Sequence, residues 1–136
     1  MTRFDHVAIA ALAIVEAPHR ITSKAIEAEL APAAGRRGFA PGTLEMLTGV
    51  VARRFWDPGV LPSQVATQAA ELALAQVAID RERIGILINT SVCKDYLEPS
   101  VASTVHGNLG LSPACLNFDV SNACLAFLTG MELAAA

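Results

Sequence analysis

Three cysteines, three histidines and one glutamate held in front of a proline are the side chains here that could support covalent or acid–base chemistry. Cys124 stands where the local pattern changes. Leu116, Phe118 and Val120 alternate with Asn117, Asp119 and Ser121, the period-2 signature of a strand. The alternation stops after Asn122. From Cys124 onward apolar residues fill every face, the pattern of a helix buried on all sides. A thiol on the first turn of such a helix faces unpaired backbone N–H groups and the positive end of the helix dipole. Both favour thiolate over thiol, so the spacing makes Cys124 a potential nucleophile of lowered pKa. The same spacing also suits a small apolar residue at a strand–helix junction, because free cysteines are commonly buried and inert.

Glu98 is the second such residue. Pro99 biases it toward extended backbone, which holds its carboxylate off any helix. Ser100 can then cap a helix carrying Val101, Val105 and Leu109 on one face and closed by Gly110. From these residues alone an ordinary exposed loop acid is the commoner reading. His6 and His19 lie in or near the first strand and His106 in the helix after Glu98, where each reads as a surface or satisfied core residue. Cys93 and Cys115 complete a set of three cysteines with neither metal-ligand nor C-x-x-C spacing, so no metal site is expected.

Positioning these side chains requires strands alternating with helices. Residues 3–16 read as a first, central strand. Ile21-Thr22-Ser23 leads into a short helix, with Thr22 or Ser23 as N-cap and Ile26 and Leu30 on the buried face. Residues 31–42 carry two prolines and three glycines and read as a loop, which holds Arg36 and Arg37. Thr43 to Thr48 suits a helical turn and Val50 to Trp56 a strand. Pro62-Ser63 opens a helix through about Val77, with Val65, Leu72 and Val77 inward and Gln64, Gln68 and Gln76 outward. Asp80 to Arg83 reads as an exposed turn. Ile84 to Thr90 is an apolar run bounded by polar turns, hence a fully buried parallel strand. The strand at 50–56, the helix at 62–77 and the strand at 84–90 together predict a right-handed βαβ unit.

Composition agrees with this alternation. The 136 residues suit one domain; 53% are hydrophobic, 17% charged and 5% aromatic. A net charge of -3 without a basic stripe gives no reason to expect nucleic acid. An odd number of cysteines fits a reducing cytoplasm better than a disulfide framework. Val7 to Val15 is too short to span a bilayer, and Asp5 and Glu16 flank it where a signal peptide needs a basic leader and a cleavage site. The apolar helix from Cys124 stops at Ala136 with no C-cap glycine, terminal base or trailing proline, so the chain reads as ending within that helix.

Phe118-Asp119-Val120-x-x-Ala123-Cys124-x-x-Phe127-x-x-Gly130-Met131 resembles the nucleophile segment of the thiolase superfamily, in its ketoacyl synthase III-like branch. Thr48-Gly49-Val50 with Arg53-Arg54, then Ile84 to Ser91, then Pro99-Ser100, follow the family's order, so the likeness covers nearly the whole chain. Within the branch, Cys93-Lys94-Asp95-Tyr96-Leu97-Glu98-Pro99-Ser100 is similar to the loop of enzymes that join two fatty acyl-CoA molecules head to head in olefin and β-lactone biosynthesis. Cys124-Leu125-Ala126-Phe127 points the same way.

The resemblance implies an α/β fold, the N-terminal half of the thiolase fold: a mostly parallel sheet covered by helices, with the nucleophile at a strand–helix junction. Residues 1–136 would form that half. It implies an acyltransferase that condenses two long-chain acyl-CoAs without decarboxylation, Cys124 carrying the acyl group and Glu98 acting as base across a dimer interface. Coenzyme A thioesters enter as substrates, and no permanently bound cofactor is implied. A histidine and an asparagine would come from the C-terminal half, in the same or a paired chain. Thr43 and Leu47 stand where the family carries an aromatic and an arginine for coenzyme A. Arg53 and Arg54 are the available substitutes; Arg36 and Arg37 could meet a coenzyme's phosphates, but a solvated loop is the commoner reading for them. Two alternatives remain open: a decarboxylating synthase using malonyl carrier protein, and an incomplete subunit acting only by pairing.

Overall fold

The computed structural model describes residues 4–34 and 40–136. The chain divides into two compact units, one of residues 16–59 and one formed by the segment up to Val15 together with residues 60–136.

In the unit of residues 16–59, β1 (His19–Thr22) pairs antiparallel with β2 (Ala52–Phe55), in a register that sets Ile21 opposite Arg53. Helix α1 (Ser23–Ala34) follows β1 directly, and Thr22 Oγ1 accepts from the Ala25 N–H at 3.1 Å as its N-cap. The helix runs through Pro32, so residues 31–34 are helical where a loop is expected from the sequence. Ile26 is half-buried, but Leu30 is exposed. Helix α2 (Thr43–Thr48) is the expected turn, held at its start by Glu27, which accepts from the Gly42 N–H at 2.7 Å and from the Leu44 N–H. These hydrogen bonds from Leu44 and Gly42 hold the Glu27 carboxyl below its ordinary pKa, against a smaller opposing effect of burial. Ser23 is fully buried and donates to the Val50 carbonyl.

The other unit holds the parallel pair. β3 (Ile86–Asn89) and β4 (Leu116–Asp119) run in register from Ile86 opposite Leu116 to Asn89 opposite Asp119. The connection between them contains α4 (Val101–Leu109), so the βαβ unit is β3–α4–β4. The unit expected over residues 50–90 does not form, because β2 and β3 belong to different sheets. Helix α3 (Pro62–Leu74) packs against α4 instead. Val101, Val105, Leu109, Leu111 and Cys115 make the core, against which Ala66, Ala70, Leu74 and Leu87 pack. Leu72, expected inward, faces outward at 49% exposure, and β3 is half-buried rather than sealed. The small residues of α3 face the core because they let two helices approach closely.

Among the described residues, 4–16 belong to no strand, contrary to the expectation for 3–16. The segment still shows period-2 burial: Ala11, Ala13 and Val15 are half-buried, while Leu12 and Ile14 are 70% and 78% exposed. It has a strand's side-chain pattern without a ladder.

Helix α5 (Ala126–Ala135) follows β4 after a 3-10 turn at Ala123–Leu125. It is not buried on all sides. Ala126 and Gly130 are buried, whereas Phe127, Leu128 and Leu133 are exposed. The buried stripe lies on β3: a Cβ added at Gly130 would stand 2.5 Å from Thr90 Cγ2.

Candidate active site

Cys124 occupies the 3-10 turn between β4 and α5, at the expected strand–helix junction but one turn before regular helix begins. Ala123, immediately before it, has φ 45°, a left-handed conformation uncommon for a residue with a Cβ. The turn is closed by the Leu125 N–H bonding to the Asn122 carbonyl at 3.0 Å. Asn122 Nδ2 also reaches Thr129 Oγ1 at 3.1 Å, linking the turn to α5. Cys124 is exposed, so its thiol is open to solvent. Cys115 is the opposite case: buried at 4% exposure, with burial pushing its thiol pKa up, it remains an inert core thiol.

Two apolar grooves flank α5. One, of about 240 Å³, runs between β3 and α5 over Ile86, Ile88, Phe127 and Met131. The other, of about 750 Å³, lies between Phe4, Val7 and Ile9 and the Leu128, Met131 and Ala135 side of α5. Walls that are apolar apart from Thr90 in the first and Glu132 in the second suit hydrocarbon better than polar ligands.

Glu98 lies in the β3–α4 connection and is exposed, off any helix as its proline predicts; the Glu98–Pro99 peptide is cis. Its neighbours Tyr96 and Leu97 project into solvent at 59% and 89% exposure. The two ends of the connection are anchored. Asp95 Oδ1 accepts from the Ser63 N–H at 2.9 Å, at the N-terminus of α3. Ser100 Oγ accepts from the Ser103 N–H at 3.1 Å, the expected N-cap of α4, and Gly110 closes that helix at φ 61°.

Sequence reasoning missed Asp119. Its carboxylate sits at the end of β4, nearly sealed, with its side chain 6% exposed. It accepts from the Ala102 N–H at 2.9 Å, the Val101 N–H at 3.2 Å and Asn89 Nδ2 at 3.1 Å, with Lys94 Nζ 3.7 Å away. Burial works to raise its pKa. The donors Ala102, Asn89 and Val101 and the charge of Lys94 outweigh it and hold the carboxyl below its ordinary value. Nothing local singled it out: in the alternation of Leu116, Phe118 and Val120 with Asn117, Asp119 and Ser121 it is one of three polar residues.

The histidines serve locally. His19 Nε2 lies 2.7 Å from Asp57 Oδ1, His106 Nε2 lies 3.1 Å from the Ser112 carbonyl, and His6 is exposed. Arg53 donates to Ser23 Oγ at 3.0 Å, while Arg54 donates to the Ala17 carbonyl at 2.9 Å and pairs with Glu16 at 3.0 Å. Both guanidiniums are thus engaged by their own unit. Thr43 and Leu47 line a small apolar cavity of about 190 Å³ with Leu30 and Leu44. Arg36 and Arg37 lie outside the described residues. Among the described residues no cluster of metal-ligating side chains occurs, and no helix is long and apolar enough to cross a membrane.

No family model matches the chain. Individual relatives do. The acyl-CoA:acyl-CoA alkyltransferase of Xanthomonas campestris is 54% identical over 132 residues, which are 97% of this chain and 39% of that protein. The enzyme of the same description from Shewanella oneidensis is 36% identical over 95% of this chain and 37% of its own length. A β-ketoacyl carrier protein synthase III from Natranaerobius thermophilus is 37% identical over 64% of this chain and 26% of its own length. The crystal structure of a glutamate-to-aspartate variant of Xanthomonas campestris OleA superposes with a TM-score of 0.87 at 53% identity, covering 97% of this chain and 38% of that one. The chain therefore spans about two-fifths of the length of the two alkyltransferases. Identity and superposition together establish it as a thiolase-superfamily sequence of the ketoacyl synthase III-like branch, homologous to the N-terminal portion of the acyl-CoA:acyl-CoA alkyltransferases.

Proposed function

We propose that this chain carries the nucleophile and the base of an acyltransferase that condenses two fatty acyl-CoA thioesters without decarboxylation. The observation that carries the reading is an exposed Cys124 at a strand–turn–helix junction, in a chain 54% identical to an acyl-CoA:acyl-CoA alkyltransferase. The Cys124 thiolate attacks the first thioester carbonyl; a new C–S bond forms and coenzyme A leaves as its thiolate. The second acyl-CoA must then lose a proton from its α carbon, which requires a base. Glu98, on its projecting connection, takes that proton, acting in a neighbouring subunit of a homodimer. The carbanion attacks the acyl-cysteine carbonyl, a carbon–carbon bond forms, and the Cys124 thiolate is expelled with release of a β-ketoacyl-CoA. Backbone N–H groups at the Cys124 turn are the donors for the oxyanion. The histidine and asparagine that the family resemblance implies are not among the matched residues, which span about two-fifths of those relatives. The grooves beside α5 accommodate the long acyl chains.

With the complementing portion present, Cys124→Ala is expected to abolish the acyl adduct seen by mass spectrometry. Glu98→Ala is expected to keep the adduct and lose β-keto product by about 100-fold or more. Normal condensation by Glu98→Ala would remove Glu98 from the reaction. The relatives named synthase III favour a second reading, decarboxylation of a malonyl donor, which needs no carboxylate base. Product formed from malonyl carrier protein but not from a second acyl-CoA would establish it in place of the first. A chain that acquires no adduct in any assembly would instead be a pairing subunit without catalysis.

A further inference from the structure

We propose that Asp119 is a positioning residue for the condensation step, acting through the connection that presents Glu98; this rests on the reading of Glu98 given above. Three elements end at its carboxylate. It is itself the last residue of β4, five residues before Cys124. Its Oδ1 accepts from Asn89, the last residue of β3, at 3.1 Å, and from the Ala102 N–H at 2.9 Å; its Oδ2 accepts from the Val101 N–H at 3.2 Å. Those two amides are the first of α4, so the carboxylate fixes the helix start only three residues beyond Glu98. Lys94, four residues before Glu98, meets Oδ2 from the other end of the same connection at 3.7 Å. One buried anion thereby holds both ends of the segment bearing the base, and holds them to the strand that leads to the nucleophile.

A carboxylate is required chemically. Four donors converge on two oxygens, and an amide would place its own N–H₂ against one of them. Catalysis depends on near-attack geometry, where displacement of about 1 Å can cost about 100-fold. Loading of Cys124 needs only the nucleophile and its oxyanion donors, whereas condensation also needs Glu98 at the α carbon. Asp119 should therefore separate the two half-reactions.

The experiment measures acyl loading of Cys124 and formation of β-keto product in parallel, with the complementing portion present. Asp119→Asn is expected to keep loading within about threefold while condensation falls about tenfold or more, chiefly in kcat. Unchanged condensation overturns the proposal, and so does an equal loss of both half-reactions, which is the mark of a merely structural role. If Asp119→Asn does not fold, Asn89→Ala removes the 3.1 Å side-chain donor, spares both backbone contacts, and is judged by the same separation at about threefold. Glu98→Ala run alongside keeps the two ideas apart. Normal condensation there refutes the base assignment, whatever Asp119→Asn does.

Discussion

The three thiols of this chain differ by environment rather than by type. Cys93 and Cys124 are exposed and Cys115 is sealed in the core with a raised pKa, so a thiol reagent under native conditions should label the first two and spare the third. Peptide mass mapping after iodoacetamide checks this; early labelling of Cys115 would mean that the core around α4 opens readily. Asp119 titrates below an ordinary aspartate near about 3.9. Its ionised form therefore favours the folded state at pH values above about 4, and that contribution disappears as pH falls through the lower folded value. Asp119→Asn is expected to cost about 2 kcal/mol at neutral pH and to make the acid loss of stability shallower, as urea midpoints from pH 6 to pH 2 would show. Equal pH slopes in the two proteins would contradict this. Cys124 and Glu98 were conspicuous in the sequence, marked by a period change and a proline, while the roles proposed for them rest on the resemblance. Asp119 was not, because its partners are backbone amides of a helix that chain order places before it.

At the scale of elements, local chemistry was readable and pairing was not. The Ser100 cap, the Gly110 stop and the turn at Thr43–Thr48 were all expected, since each is decided within a few residues. The pairing of β2 with β1 rather than with a later parallel strand is a contact made across α1 and α2, and apolar runs alone carry no such information. The same holds for 4–16, whose alternation marks a strand but not its neighbour. How α5 seats on β3 depends on one missing methyl. Gly130→Ala brings a carbon to 2.5 Å from Thr90 Cγ2, so the helix must shift, at about 1–3 kcal/mol. Thr90→Ser deletes the colliding methyl and should recover most of that loss. Urea denaturation of the two single variants and the double variant tests this, and strict additivity would show that the close approach is relieved elsewhere.

At the scale of the molecule, the unit containing α5 leaves many large apolar side chains open to water. Ile9, Leu12, Ile14, Phe127 and Leu128 are each more than half exposed. Exposed patches of this kind mark interaction surfaces or association hazards. Studied alone, the chain should bind an apolar dye such as ANS and show concentration-dependent light scattering at neutral pH, and both signals should fall when the complementing portion is added. A monomeric, dye-silent chain would mean that these side chains find cover within the unit. The ladderless run from Val7 to Val15 gives that surface a direction as well as an area. It contains neither charge nor proline, two of the devices by which proteins discourage strand addition. In the proposed assembly, newly made chains would therefore race between their intended neighbour and one another, and the winner would depend on how soon that neighbour arrives.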